Sequence, residues 1–186
     1  MSVRLPSEVG VGSGRFVMRR YVDDDVDALG RAIAASVEHL RTFMPWAAHE
    51  PLSPAARREL FATWDREWAA GTSAVYGMFA GGDVIGGCGL HRRRIAHPEV
   101  VEIGYWVHVD HCRQGIASEA AAALTGAALA GPGTAAVEIW HEPANVASAA
   151  IPAKLGYEYR GEEVREGTVF RVWRTSPEPD SIAGHG

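Results

Sequence analysis

No stretch of this 186-residue sequence stays apolar for the ~20 residues that a helix needs to cross a bilayer; glycine, histidine or charge interrupts every long run. No membrane anchor is expected. Cysteine is nearly absent. Cys88 and Cys112 are the only two, they lack the paired spacing of a metal knuckle, and no secretory leader precedes them. That usage reads as a protein of the reducing cytoplasm. The phosphate-binding signatures Gly-x-Gly-x-x-Gly and Gly-x-x-x-x-Gly-Lys-Ser/Thr are missing. So is His-Glu-x-x-His, because His141-Glu142-Pro143-Ala144 runs on into Asn145 where a second histidine would be required. His108, His111 and His141 therefore imply no metal. Positive charge is also short: the net charge is -5, which sets the overall field against a nucleic-acid partner. Arg92-Arg93-Arg94 is the single dense basic run, and it reads as the solvated end of a strand.

What is present suits one compact α/β domain, with 47% hydrophobic residues to build its core. We place that domain over 15–175, with 1–14 and 176–186 as flexible tails. Alternation over 15–19 predicts a first strand. Asp23-Asp24-Asp25 then opens a helix whose buried stripe is Val26, Leu29, Ile33 and Val37, and Pro45 ends it. Ser53 caps a second helix with Pro54 at its first position, running to Ala70 and stopped by Gly71. Its aromatic face includes Trp64 and Trp68. Apolar runs over 74–80 and 84–90 flank Gly81-Gly82-Asp83 and should pair as a hairpin. Gly86, Gly87 and Gly89 weaken the second run, which points to a bulge or to close approach by a ligand or a helix. Strands are expected over 100–109 and 135–140, helices over 115–130 and 145–155, and a closing hairpin over 158–164 and 168–173 around Glu166-Gly167.

The decisive stretch is His111-Cys112-Arg113-Gln114-Gly115-Ile116-Ala117-Ser118-Glu119-Ala120, where an apolar strand turns into an alanine-rich helix. Gly115 removes the Cβ that would hold a ligand off the backbone, and Ala117 and Ser118 are small. The first N–H groups of the helix have no intrahelical acceptor and lie at its positive end. Such a turn suits a phosphate, and equally suits a plain helix start.

Three segments sharpen that reading: Glu102-Ile103-Gly104-Tyr105-Trp106-Val107, then Gln114-Gly115-Ile116-Ala117, then Asn145-Val146-Ala147-Ser148 with Lys154-Leu155-Gly156-Tyr157. In order and spacing they resemble the GNAT acetyltransferases, and among them the RimJ/RimL branch, over nearly the whole chain. The resemblance implies a GNAT fold: a mixed, mostly antiparallel sheet flanked by helices, with a splayed parallel strand pair between which pantetheine adds. It implies acetyl-CoA as co-substrate and no metal. The family pattern Arg/Gln-x-x-Gly-x-Gly/Ala, which wraps the pyrophosphate, falls on Cys112, Arg113, Gln114, Gly115, Ile116 and Ala117, with Ser118 following. Cys112 replaces the leading Arg or Gln, and Arg113 could supply the charge instead. Edge groups of Trp106 and Val107 would hold the pantetheine, and Asn145 matches a cofactor-contacting asparagine. Many members carry an acidic tyrosine seven residues later, but here that position is Pro152. The branch places a serine against the thiol, which moves the role to Ser148. Trp46 would line the acceptor pocket. Both a monomer and a homodimer are compatible with the resemblance.

Acetyl transfer from a thioester needs a neutral amine, a donor for the developing oxyanion and a proton for the departing thiolate. Glu102 shares a strand face with Gly104, Trp106 and His108, and the family often uses a glutamate there as general base; the alternative is a structural carboxylate bonded to its neighbours. Ser148 either meets the thiolate or bonds its own backbone as a helix-start serine. Tyr157 is a second proton donor or a core aromatic. A covalent role for Cys112 finds no supporting arrangement. The expected activity is direct transfer to a primary amine, with a protein N-terminal α-amine favoured by the branch. Its pKa of ~7.7–8.0 leaves far more neutral amine at pH 7 than a lysine near ~10.4. The alternatives are acetylation of a small amine, such as an antibiotic, amino acid or polyamine, and a CoA-binding or sensing module without turnover.

Overall fold

The computed structural model describes residues 6–177. Their core is an eight-stranded sheet in the order β1-β2-β3-β4-β5-β6-β8-β7. The strands are β1 (Glu8–Gly10), β2 (Val17–Arg19), β3 (Ser73–Ala80), β4 (Asp83–His91), β5 (Val100–Val107), β6 (Ala136–His141), β7 (Glu158–Arg165) and β8 (Thr168–Thr175). Every neighbouring pair is antiparallel except β5 and β6. The helices are α1 (Val26–Arg41), α2 (Pro54–Ala70), α3 (Ile116–Ala130) and α4 (Val146–Lys154). Among the described residues, no helix is long and apolar enough to cross a membrane.

The expected lead-in tail is corrected in part. Residues 8–10 pair with β2 as an edge strand, because Val9 and Val11 have an apolar cluster to enter. Residues 1–5 of that tail, and 178–186 of the other, lie outside the described residues.

The two sides of the sheet carry separate apolar clusters. One gathers Ile116, Ala120, Ala121, Leu124 and Ala128 of α3 against Met78, Leu90, Val101, Ile103, Val137 and Ile139. The small residues of α3 let it lie close on β5. The other cluster joins Val26, Leu29, Ile33 and Leu40 of α1 to Phe61 of α2, Tyr21 and Phe79. Val37 is only half-buried; Ser36 and Leu40 complete the stripe instead. Ser36 Oγ accepts the Val109 N–H at 3.1 Å, which ties α1 to the turn after β5.

Helix α2 follows its sequence signals closely. Ser53 Oγ accepts from the Ala56 N–H at 3.1 Å, Pro54 takes the first position, and Gly71 stops the helix at φ 71°. Beside the apolar contact of Phe61, its attachment has a polar part. Arg57, buried on α2, donates to the buried Glu50 carboxylate at 2.8 Å, and Glu50 also accepts the Leu52 N–H at 2.8 Å. Breaking a buried pair leaves one charge desolvated without compensation, whereas replacing both partners with apolar groups removes the problem. Arg57→Met should therefore cost about 3–5 kcal/mol in urea unfolding, and adding Glu50→Leu should restore most of it. A double variant as unstable as the single one would show that the pair is not what fixes α2.

Candidate active site

Strands β5 and β6 run parallel only from Val100↔Ala136 to Ile103↔Ile139, after which they part. β5 continues to Val107, while β6 stays paired with β8 on its other edge from Val137↔Thr175 to His141↔Arg171. The direction of the freed backbone follows from one bond: the His108 N–H donates to Ile85 O at 2.9 Å, on the β4 side. Alternation along the strand then turns Trp106 toward β4, and Tyr105 and Val107 toward the opening. The expected edge pair reduces to Val107, with Tyr105 beside it.

Side chains divide in the same alternating way. Val101, Ile103, Tyr105 and Val107 pack with the α3 cluster, while Trp106 packs with the α1–α2 cluster. Glu102, Gly104 and Trp106 share a face as expected, but β5 ends before His108. That imidazole instead caps a short turn, its Nδ1 accepting the Asp110 N–H at 3.2 Å. Trp46, 38% exposed at the start of the Pro45–His49 turn, meets Trp106 edge to face with ring centroids 6.1 Å apart. The crowding around Gly86 and Gly87 comes from this tryptophan, and that around Gly89 from His91 and the Ala74 carbonyl. A Cβ on Gly87 would stand 2.5 Å from Trp106 Nε1, and one on Gly86 would collide with the Trp106 carbonyl.

Beyond β5 the chain bends through Arg113 at φ 60° and Gly115 at φ 82° into α3. Gly115 tolerates that angle without strain. The first bond of the helix runs from the Glu119 N–H to Gly115 O at 3.0 Å, so the N–H groups of Ile116, Ala117 and Ser118 precede it. The Ile116 side chain is buried and anchors the turn. Gln114 folds back, donating to Asp110 O at 3.1 Å. A brace that the sequence did not signal comes from Arg15, which donates to Gln114 O at 3.0 Å and pairs with Glu119. Cys112 Sγ lies 3.5 Å from His108 O and 3.6 Å from His39 Nε2. Burial and Asp110 push its thiol up, with Arg113 pulling the other way, which disfavours a nucleophilic thiolate.

Asn145 caps α4, its Oδ1 accepting the Ser148 N–H at 3.1 Å. The Ser148 hydroxyl is not spent on its own backbone: it meets the Tyr105 hydroxyl at 2.9 Å. Tyr105 escaped sequence reasoning, although its place two residues before Val107 on the strand beside the opening was the available signal. Burial pushes its phenol up to about 12, against a smaller opposing effect from Ser148. Tyr157 points elsewhere, buried with its hydroxyl 2.6 Å from Thr125 Oγ1 of α3. Pro152 sits buried inside α4 and removes the N–H that would otherwise reach the Ser148 carbonyl.

Glu102 is buried and heavily engaged. Its two oxygens accept three hydrogen bonds, from Arg93 at 2.8 Å and from Arg165 at 3.2 and 2.8 Å. Its parallel neighbour Glu138, 1% exposed, accepts from Arg94 at 2.9 Å, the Trp140 indole at 2.8 Å and Arg174 at 2.5 and 2.9 Å. The Arg165 guanidinium lies over the Trp140 ring, 3.9 Å from its centroid. The basic run after β4 is thus solvated only in part: Arg93, itself exposed, reaches Glu102 on β5, and half-buried Arg94 reaches Glu138 on β6. His141 is likewise occupied, with its Nε2 taking the Trp173 indole N–H at 3.1 Å.

The pattern described as an acetyltransferase (GNAT) domain matches residues 15–158. The chain belongs to the GNAT acetyltransferases. Its fold is similar to those of several solved family members. RimL, a ribosomal-protein α-N-acetyltransferase in complex with coenzyme A, is 19% identical with a TM-score of 0.78, covering 91% of this chain and 97% of its own. RimJ from Mycobacterium smegmatis, in complex with CoA-disulfide, is 20% identical with a TM-score of 0.81, covering 96% and 91%. The microcin self-immunity acetyltransferase MccE, in complex with acetyl-CoA and AMP, is 14% identical with a TM-score of 0.79, covering 93% and 98%. No curated protein matches the chain by sequence. The expected architecture holds: a GNAT fold with one parallel pair, β5 and β6, in an otherwise antiparallel sheet flanked by helices.

The Glu138 cluster has a consequence at acid pH. Burial alone would raise this carboxyl, but the hydrogen bonds from Arg94, Trp140 and Arg174 outweigh it and hold the group below the usual glutamate range. A depressed folded-state value contributes stability that is present above the unfolded glutamate pKa of ~4.3 and is lost as pH falls through the folded value. Glu138→Gln is expected to be less stable than wild type at pH 7, with a flatter decline below about pH 4.3 in pH-dependent thermal unfolding. Parallel acid branches for the two proteins would remove Glu138 from that account.

Proposed function

We propose that this chain transfers acetyl from acetyl-CoA directly to a primary amine, and that the amine is a protein N-terminal α-amine. The observation that carries the proposal is the parting of β5 and β6 after Ile103 and Ile139, beside both the α3 N-terminus and the Tyr105–Ser148 hydroxyl pair. Pantetheine, an extended chain of amides, suits the unpaired Val107 edge as a surrogate strand. The turn over Cys112, Arg113, Gln114, Gly115, Ile116, Ala117 and Ser118 would take the pyrophosphate on its N–H groups, with Arg113, exposed, and Arg15, bonded to Gln114 O, as the positive charges beside it. Asn145 would act through the cap that orients Ser148.

At the thiol, Ser148 would donate a hydrogen bond to the departing sulfur while Tyr105 donates to Ser148. A phenol held at about 12 keeps its proton beside a thiol of pKa ~8.5, so the pair stabilises the thiolate without protonating it. On the opposite face, Trp46 and Trp106 would wall the acceptor. Glu102, bonded to two guanidiniums, sets the charge of that face through Arg93 and Arg165. No strong base is required, because an α-amine of pKa ~7.7–8.0 leaves roughly a tenth neutral at pH 7. A compartment of soluble proteins with free N-termini, the cytoplasm, fits that acceptor.

Two measurements test the reading. Gly115→Ala forces a Cβ onto a backbone at φ 82°, and should weaken acetyl-CoA binding by calorimetry by about tenfold without unfolding the chain. Unchanged affinity would move the cofactor away from this turn. With acetyl-CoA and a peptide bearing a free N-terminus, Ser148→Ala should lose about 10–100-fold in kcat with little change in acetyl-CoA affinity. Full turnover by Ser148→Ala would take the serine out of the mechanism.

A further inference from the structure

We propose that His91 Nε2 is the atom that accepts the proton from the attacking amine. This rests on the acetyl-transfer reading above and supplies the base which Glu102, with both oxygens on arginines, is poorly placed to be.

The placement follows from sheet register. His91, the last residue of β4, stands between Ser73 of β3 and Glu102 of β5 in one cross-strand row. Two residues along, the next row on that face is Gly89 opposite Gly104, and the row after it is Gly87 opposite Trp106. The middle row carries no side chain on β4 or β5, so a floor of bare backbone lies between Glu102 and Trp106. Gly104 is also the first β5 residue beyond the last pair with β6, so the floor lies where the strands part. His91 reaches over it: its Nε2 is 2.8 Å from where a Cβ on Gly89 would be and 3.7 Å from where one on Gly104 would be.

The other ring nitrogen is held. His91 Nδ1 lies 2.8 Å from Ser73 Oγ, and an Nδ1–H donated to that hydroxyl leaves the lone pair on Nε2. Among the described residues Nε2 has no hydrogen-bond partner, yet no side-chain nitrogen or oxygen is both sealed from solvent and unpaired. His91 is half-buried, so the atom keeps some access to solvent. Burial, with Arg93 adding to it, holds this imidazole at about 4, so it is neutral throughout the neutral range.

The chemistry matches a weak base. The amine lone pair forms the new N–C bond at the thioester carbonyl, and the C–S bond breaks with its electron pair leaving on sulfur. The proton in question is acidic only once nitrogen has bonded to that carbon, and then it passes from nitrogen to His91 Nε2 and on to solvent. The thiolate, held by Ser148, takes its proton from solvent.

The test uses the full chain with acetyl-CoA and a free-N-terminus peptide. His91→Gln keeps the bulk and a polar group toward Ser73 but takes up no proton; kcat should fall about 10–100-fold with acetyl-CoA KM nearly unchanged. His91→Ala leaves a hole over Gly89 and Gly104, and added imidazole should restore part of its kcat. Should His91→Gln fail to fold, Ser73→Ala retains the ring, frees its orientation and is expected to lower kcat several-fold. A His91→Gln enzyme with wild-type kcat overturns the proposal, as does a Glu102→Gln enzyme that loses kcat while His91→Ala, without imidazole, loses none. A wild-type chain that acetylates no amine overturns the acetyl-transfer reading and this proposal together, whereas an active wild type with an equally active His91→Gln overturns this proposal alone.

Discussion

A backbone N–H or C=O buried away from water must find a partner, and β5 is built so that some of its groups do not find one in the sheet. From Val100 to Ile103 its outer edge is matched by β6; from Gly104 to Val107 it is not. Everything that bears on function is arranged around that unmatched edge. On one face Tyr105 carries a hydroxyl to Ser148, on the other Trp106 meets Trp46, and at its end the chain bends through Arg113 and Gly115 into α3. Gly104 to Val107 are half-buried, so the open edge can bond water or something extended and polar, and a pantetheine arm is such an object.

Keeping the edge open requires the rest of the sheet to hold firm. Around β5 and β6 one side is held by α3, whose alanines allow close packing on Val101, Ile103, Val137 and Ile139. The polar side is served by charge. Glu102 and Glu138, buried neighbours on β5 and β6, draw in Arg93, Arg94, Arg165 and Arg174 from the loop after β4 and the final hairpin. Such a cluster is weak evidence of net stability, because desolvating each ion is costly. Its directional bonds do specify which segments converge beside the parting strands. They also leave both buried carboxylates already paired with arginines.

Local signals were legible in the sequence and long-range ones were not. Ser53, Pro54 and Gly71 marked α2 because caps and stops act within a few residues. The strand-to-helix bend at Gly115 was legible for the same reason. The pairing of β1 was missed because three residues carry too little alternation to stand out, and its partner strand fixes it. Arg93 and Arg94 read as solvated because nothing in a basic run reveals carboxylates 9 and 44 positions away. Tyr105 lay within a recognised motif, yet its role depends on a helix that begins far along the chain. His91 was invisible as a candidate: its significance lies in two glycines opposite each other across strands, a juxtaposition that only register reveals.

Amide hydrogen exchange, followed residue by residue with and without acetyl-CoA, interrogates the open edge most directly. Val107 together with Ile116, Ala117 and Ser118 should exchange markedly more slowly when acetyl-CoA is bound, while amides of β7 and β8 away from the opening stay as they were. Slowing confined to other segments, with Val107 and the start of α3 unaffected, would contradict the claim that the parted strands and the following turn hold the cofactor.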